Sequence, residues 1–256
     1  MALRGTSRSV LNGSSNRKGR KGGASSQREV VVLLHGLGRT AASMYILKLR
    51  LEQQGYRVIA KSYASARANI EAHAVWLDRL LAQELGVSVS NTRLESTQKI
   101  HFVTHSMGGI ILRQLLCEHA IKSNDILNNS LGRAVMLAPP NGGSEVVDYF
   151  RSWKIFKKIV GPAGLQLGTD RKSKPNTLGA VNFEMGVIAG TRSIDPIGSL
   201  LIGQPNDGKV SVASAKVEGM TDFVAVARSH TFIMNSSKVA QQIVSFLKIG
   251  KFLPLN

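Results

Sequence analysis

The chain contains 256 residues, 43% of them hydrophobic, and carries a formal net charge of +17 at pH 7. This length is enough for one well-buried core and too short for two sizeable domains with a linker. No apolar run approaches the roughly 18 residues that a membrane-spanning helix needs. The single cysteine, Cys117, excludes an internal disulfide, and because it lies within a helical pattern we expect it in the core.

Residues 1–28 differ from the rest of the chain in composition. They hold seven basic residues, six serines and five glycines but no acidic residue, which predicts a disordered tail ahead of one folded domain at residues 29–256. An Arg- and Ser-rich segment without acids also resembles an organellar transit peptide, whereas the apolar stretch of a secretory signal is missing. We expect a cytoplasmic protein, or an organellar one if the tail is a transit peptide.

The folded part is basic even without the tail, since 26 basic and 16 acidic residues remain, for a charge of +10. A field of this sign favours anionic surfaces such as lipid headgroups, and weak contact with an anionic membrane surface is one expectation. The sequence shows neither a nucleic-acid reading motif nor a basic patch with stacking aromatics, so it predicts no specific nucleic-acid partner.

Predicted strands and helices alternate along residues 29–256. Short β-branched apolar runs indicate strands, and apolar positions three or four apart indicate helices. The predicted elements are, in chain order, a strand at 30–34, a helix at 41–54, a strand at 56–63, a helix at 70–85, a strand at 100–103 with a helix from 110, strands at 133–138, 185–189 and 223–227, and a helix at 238–247. This order predicts an α/β fold with a mostly parallel sheet covered by helices on both faces.

The segment Thr-His-Ser-Met-Gly-Gly at residues 104–109 stands between a predicted strand and a predicted helix. A serine at the tip of such a strand–turn–helix, with glycine two residues later, is the pattern of a nucleophile elbow. Small residues are needed where strand and helix cross, because the turn is tight. Gly108 meets this need, whereas Thr104 stands where the pattern has its first glycine. We therefore predict Ser106 as a nucleophile.

A serine nucleophile requires a base, and the base requires an acid that orients it. The chain order in this architecture is serine, then acid, then histidine, and only His230 lies late enough to be the base. Asp207, in a turn-rich segment, is the first candidate for the acid. Asp195 is the second, because an aspartate before a proline is often only a turn former. Asp222 stands at the amino end of its strand, the wrong edge for this role.

Two backbone N–H groups are candidates for stabilising an oxyanion. One belongs to Met107, directly after the serine, and the other to Leu37, in a loop that Gly36 and Gly38 allow to fold inward. The third glycine of a dinucleotide-binding loop is missing, since position 41 is alanine. We expect neither a cofactor nor a metal.

Four segments together resemble the small bacterial lipase and esterase branch of the α/β-hydrolase superfamily. They are residues 30–38 (Val-Val-Val-Leu-Leu-His-Gly-Leu-Gly), 103–109, 206–210 (Asn-Asp-Gly-Lys-Val) and 229–231 (Ser-His-Thr). The resemblance covers the chain from about residue 29 to its end. It implies a catalytic triad of Ser106, Asp207 and His230, with Leu37 and Met107 as oxyanion donors. Asp207 stands further beyond the strand at 185–189 than the acid of that family usually does.

A segment between the predicted strands at 133–138 and 185–189 is rich in aromatic residues. Residues 145–160 place apolar side chains at helical spacing with basic residues between them. The aromatic members are Tyr149, Phe150, Trp153 and Phe156. They indicate either a small lid that binds substrate or an ordinary amphipathic helix packed on the sheet.

The combined prediction is a single-domain serine hydrolase that cleaves a small-molecule or lipid carboxylic ester through an acyl-enzyme. Thioesters and amides are open to the same chemistry, so a thioesterase or an amidase is one alternative. A catalytically inactive hydrolase fold that serves as a binding module is another.

Overall fold

The computed structural model describes residues 1–2, 28–85, 98–121 and 130–255, with the side chains of residues 119–121 left aside. The tail predicted at residues 1–28 lies outside this description apart from its ends. Within the described residues, six strands form one sheet in which all neighbouring strands are parallel. The strands are β1 (Val30–Leu34), β2 (Arg57–Ala60), β3 (Ile100–His105), β4 (Leu131–Leu137), β5 (Met185–Gly190) and β6 (Asp222–Val226), in the spatial order β2-β1-β3-β4-β5-β6.

Helices connect these strands. They are α1 (Tyr45–Gln53), α2 (Ile70–Leu85), α3 (Met107–Ile121), α4 (Glu145–Phe150), α5 (Lys154–Leu165), α6 (Lys174–Thr177), α7 (Pro196–Ile202), α8 (Val212–Ala215) and α9 (Ser237–Ile249). In the described part of the chain, none of them is long and apolar enough to cross a membrane.

The sheet separates two apolar cores. Alternate residues of β1 point to opposite faces, so Val30 and Val32 belong to the core under α2 and α3, while Val31 and Leu33 belong to the core under α1 and α9. Helices therefore cover both faces, as the sequence predicts. Cys117, expected in the core, is half-buried on α3.

Three predicted elements differ from the structure. The helix at 41–54 starts as a 3-10 turn at Ala41–Met44. The strand predicted at 56–63 covers only Arg57–Ala60, and its ladder with β1 ends at the pair of Ala60 with Leu33. The helical pattern at 145–160 forms two helices, because Trp153 adopts an extended backbone between α4 and α5.

The predicted site residues follow the carboxyl ends of the parallel strands. Ser106 comes directly after β3, His230 comes shortly after β6, and Asp207 lies between β5 and β6. Because parallel strands end at the same edge of a sheet, this topology gathers the three segments at one edge, where α/β proteins place their ligands.

Candidate active site

Ser106 occupies a strained turn between β3 and α3. Its φ of +53° is in the left-handed region, which a serine rarely adopts. The backbone N–H of Ser106 donates to the carbonyl oxygen of Leu137 over 2.9 Å, which ties the turn to the end of the neighbouring strand β4. Strain of this kind persists only where the surrounding structure enforces it, and it is concentrated at functional sites.

Two consecutive glycines after Ser106 explain how the turn closes. A Cβ at Gly108 would lie 2.9 Å from the carbonyl oxygen of Leu34, so glycine is required where α3 meets the end of β1. A Cβ at Gly109 would lie 3.2 Å from Oγ1 of the buried Thr104. The branched side chain that replaces the first glycine of the motif is therefore accommodated because Gly109 leaves room for it.

Asp207 and His230 form a buried pair. The Nδ1 of His230 donates to the Oδ2 of Asp207 over 2.9 Å, and the two side chains are 12% and 1% exposed for His230 and Asp207 respectively. The other carboxylate oxygen, Oδ1, accepts from the backbone N–H groups of Lys209 and Val210 over 3.0 and 2.9 Å. These three donors fix the orientation of the carboxylate. The hydrogen bond between His230 and Asp207 places the imidazole proton on Nδ1, which leaves a lone pair on Nε2 that can accept a proton.

The extra chain between β5 and Asp207 forms α7 and then returns to the sheet. A Cβ at Gly190, the last residue of β5, would lie 2.7 Å from the Cβ of Asp207. Asp207 is thus distant from β5 in sequence and adjacent to its end in space.

Asp195, the alternative acid, has other partners. It is the N-cap of α7, where its Oδ1 accepts from the backbone N–H of Gly198 over 2.9 Å, and it forms an ion pair with Lys209. The Gly198 hydrogen bond, followed by the Lys209 ammonium, lowers the pKa of this carboxyl below its ordinary value. Asp222, at the amino end of β6, accepts from the backbone N–H of Phe252.

His105 is a site residue to which the sequence assigned no role. It is buried, its ring lies 4.8 Å from the ring of His230, and its Nε2 donates to the backbone carbonyl of His230 over 3.0 Å. Burial, with a smaller contribution from His230, holds the pKa of His105 well below its ordinary value. A neutral His105, directly before Ser106 in sequence, thus anchors the loop that carries His230. A histidine directly before the serine was the available signal.

The loop after β1 lies against the elbow. A Cβ at Gly36 would be 3.1 Å from the Cβ of Ser106, so this close approach requires glycine and puts the loop that carries Leu37 against the turn. The phenol of Tyr63 donates to the carbonyl of His35 over 2.7 Å, and Ser65 Oγ accepts from the N–H of Gly38 over 2.9 Å. The second candidate donor, Met107, opens α3 on the other side of Ser106.

The aromatic residues of the predicted lid form a cluster around Phe150. Its ring contacts those of Tyr149, Trp153 and Phe156, with centroid distances of 4.9, 4.9 and 5.6 Å. Phe156 packs on the core, whereas Tyr149 and Trp153 are more than half exposed. Helix α5 also reaches the loop after β1, since a Cβ at Gly164 would lie 2.9 Å from Cδ2 of Leu37. The aromatic cluster is thus connected to the candidate oxyanion loop.

The described residues contain no group of three His, Cys, Asp or Glu side chains arranged to hold a metal ion. The groups that the structure gathers at this edge of the sheet are a serine, a hydrogen-bonded imidazole and backbone donors.

Comparisons with known proteins bear on the fold and on the first half of the chain. Residues 24–137 match a protein family described as "Putative serine esterase (DUF676)", a region that includes Leu37, Ser106 and Met107. A mature lipase of Bacillus licheniformis superposes with a TM-score of 0.64 at 17% identity, covering 88% of this chain and 93% of that one. The chain has the α/β-hydrolase fold.

Two further α/β-hydrolase structures are similar to the chain. A metagenomic carboxyl esterase matches with a TM-score of 0.59 at 18% identity, covering 82% of this chain and 67% of that one. Phospholipase PlaB from Legionella pneumophila matches with a TM-score of 0.60 at 21% identity, covering 73% of this chain and 44% of that one. No curated protein sequence matches the chain significantly. The structural neighbours show the fold, and the family match covers residues 24–137 of it.

Proposed function

We propose that this α/β-hydrolase cleaves carboxylic esters, with Ser106 as nucleophile, His230 as base and Asp207 as acid. The observation that carries the proposal is the buried hydrogen bond between His230 and Asp207, at the sheet edge where Ser106 occupies a strained turn. A serine hydroxyl is weakly nucleophilic at neutral pH and reacts when a positioned imidazole removes its proton.

The reaction proceeds in two halves. Ser106 Oγ attacks the ester carbonyl carbon while His230 Nε2 accepts the hydroxyl proton, and the resulting imidazolium then gives this proton to the leaving alcohol. An acyl group remains on Ser106. Water, deprotonated by His230, attacks the acyl-enzyme carbonyl carbon. The bond to Ser106 Oγ then breaks, His230 returns the proton to this oxygen, and the carboxylic acid is released. Asp207 stays ionised throughout and stabilises the imidazolium.

The backbone N–H groups of Leu37 and Met107 receive the negative charge of the tetrahedral intermediate. Support for this assignment comes from the approach of Gly36 to Ser106 and from the hydrogen bonds of Tyr63 and Ser65 that hold the loop. Donors fixed in this way need no reorganisation when charge develops on the substrate oxygen, and each typically contributes about 3 kcal/mol to transition-state stabilisation.

The acyl chain of the substrate lies against the aromatic cluster of Tyr149, Phe150, Trp153 and Phe156. This position is supported by the contact of α5 with Leu37 and by the mixture of packed and exposed rings. An apolar wall next to backbone donors is the usual composition of a small-molecule site.

Hydrolysis of p-nitrophenyl esters from acetate to palmitate tests the proposal. We expect Ser106→Ala to lower kcat/KM at least about a thousandfold, as removal of a triad member does. Ser245→Ala, which removes a half-buried hydroxyl on α9, serves as the matched control and should retain full activity. Ester hydrolysis that persists in a folded Ser106→Ala protein would contradict the proposal. So would a folded wild type that cleaves thioesters or amides but no ester.

A further inference from the structure

Helix α5 exposes a strip of apolar side chains with lysines next to it. Ile155 and Ile159 are 68% and 67% exposed, and they lie one helical turn apart on the same side of the helix. Trp153, at the N-cap of α5, is 52% exposed. Isolated exposed apolar residues are ordinary on a protein surface, but three together on a short segment mark a surface that contacts something apolar.

The lysines of this helix have no acidic partner in the part of the chain that the structure describes. Lys154, Lys157 and Lys158 are exposed, and within the described residues none of them forms an ion pair. The neighbouring Arg151, by contrast, pairs with Asp170 and Asp148. The outer face of α5 therefore combines apolar side chains with three uncompensated positive charges.

We propose that the surface formed by Trp153, Ile155, Ile159 and the three lysines docks on an anionic phospholipid bilayer. The isoleucines and the indole enter the boundary between headgroups and acyl chains. Long lysine side chains bury their methylene stems there while keeping the ammonium groups near lipid phosphates. Charge complementarity selects this occupant, because the domain without its tail still carries +10.

The opposite side of α5 packs against the rest of the domain. Val160 and Ala163 are buried, and the N–H of Ala163 donates to the carbonyl of Ala68 over 3.1 Å. Gly161 is so close to Ala66 that no side chain fits between them. The exposed strip is thus held rigidly on the domain, since its helix is anchored from below.

Docking in this orientation has a consequence that rests on the proposed function. The same helix contacts Leu37, in the loop whose Gly36 lies against Ser106, so a bilayer on its outer face would lie close to the mouth of the site. A substrate carried by the membrane could then reach the serine without crossing bulk water.

Vesicle binding by the full chain carrying Ser106→Ala tests the docking itself, because this protein cannot consume lipid. We would measure co-sedimentation with phosphatidylcholine vesicles and with vesicles containing a quarter of phosphatidylglycerol. The expected result is binding to the anionic vesicles that weakens with added salt. In the same background, Ile155→Ser with Ile159→Ser, or Lys157→Glu with Lys158→Glu, should weaken binding by about tenfold or more. The matched controls are Ile249→Ser and Lys248→Glu, on the distant helix α9, where Ile249 is also exposed.

Trp153 supplies a local readout that the basic tail cannot mimic. Its emission should shift to shorter wavelength when anionic vesicles are added, and Trp153→Phe should remove the shift while leaving Trp76 as background. Binding without this shift, equal binding by the α5 and α9 variants, equal binding to neutral vesicles, or no binding would each overturn the proposal. Since no step requires hydrolysis, failure of the docking surface is distinguishable from failure of the esterase assignment.

Discussion

Two aspartates near the end of β5 illustrate how position, rather than residue type, decides a role. Asp207 is almost fully buried and accepts a hydrogen bond from the imidazole of His230. Asp195 instead caps α7 and pairs with Lys209. Their neighbours in sequence are similar turn residues, so the sequence alone does not decide which aspartate pairs with His230. The pairing depends on how the chain between the two aspartates folds.

Matched amide substitutions test this assignment. Asp207→Asn should lower kcat for ester hydrolysis by about three to four orders of magnitude, because an amide does not hold the required imidazole tautomer or stabilise its cation. Asp195→Asn should leave kcat nearly unchanged, since asparagine is an equally good N-cap. Steady-state kinetics on both folded proteins decide the question. Equal activity in the two variants would show that Asp207 is not the acid.

Helix α5 bends within its own length, at Gly161 and Pro162. Gly161 has φ of +64°, and a Cβ there would overlap the carbonyl oxygen of Ala66. Glycine is required for two separate reasons, its backbone angle and the absence of space. The bend directs the second half of α5 toward the loop after β1.

Gly161→Ala should therefore destabilise the protein more than a positive φ alone explains. The control is Gly179→Ala, because Gly179 has nearly the same φ of +66° and no atom within 4 Å of the place that an added methyl group would take. Urea unfolding of both variants isolates the steric part, and we expect Gly161→Ala to cost at least about 1 kcal/mol more than the control. Equal losses would mean that the contact with Ala66 is not tight in solution.

The elements that the sequence predicts are those with a local signal. The strands around Val32, Phe102 and Val187 are apolar runs, and the elbow at Ser106 is a short contiguous motif, so both can be recognised. Short helices such as α7 and α8 span too few residues to show a period. The break before α5 has no such signal either, since the apolar spacing continues through Trp153 while the backbone there is extended. The partnership of His105 with His230 depends on two loops meeting, which no local pattern encodes.

At the scale of the whole molecule, buried histidines link stability to pH. Burial lowers the pKa of His35, His73, His101 and His105 below the ordinary value of 6.5. In the unfolded chain these rings take up protons below about pH 6.5, while the folded protein resists protonation. The unfolded state therefore binds more protons, and stability falls as pH decreases from about 6.5 toward the folded pKa values.

Thermal unfolding between about pH 7.5 and 5.0 measures this effect. We expect the melting temperature to fall steadily below about pH 6.5. The free energy of unfolding should fall with a limiting slope of about 1.4 kcal/mol per pH unit for each proton taken up on unfolding. His105→Asn removes one such group and should show a shallower dependence than the wild type. A melting temperature that is constant, or that rises as the pH is lowered, would contradict the account.

The central claim is that Ser106 is a nucleophile activated by His230 and Asp207, and covalent labelling tests it most directly. A fluorophosphonate transfers its phosphonyl group to an activated serine oxygen and releases fluoride. Mass spectrometry of the intact and digested protein detects the resulting adduct. The account predicts one adduct per chain, on the tryptic peptide of residues 100–113, absent in Ser106→Ala and formed at least about a hundredfold more slowly in His230→Ala. No adduct on the folded wild type, or an adduct that persists in Ser106→Ala, would contradict it.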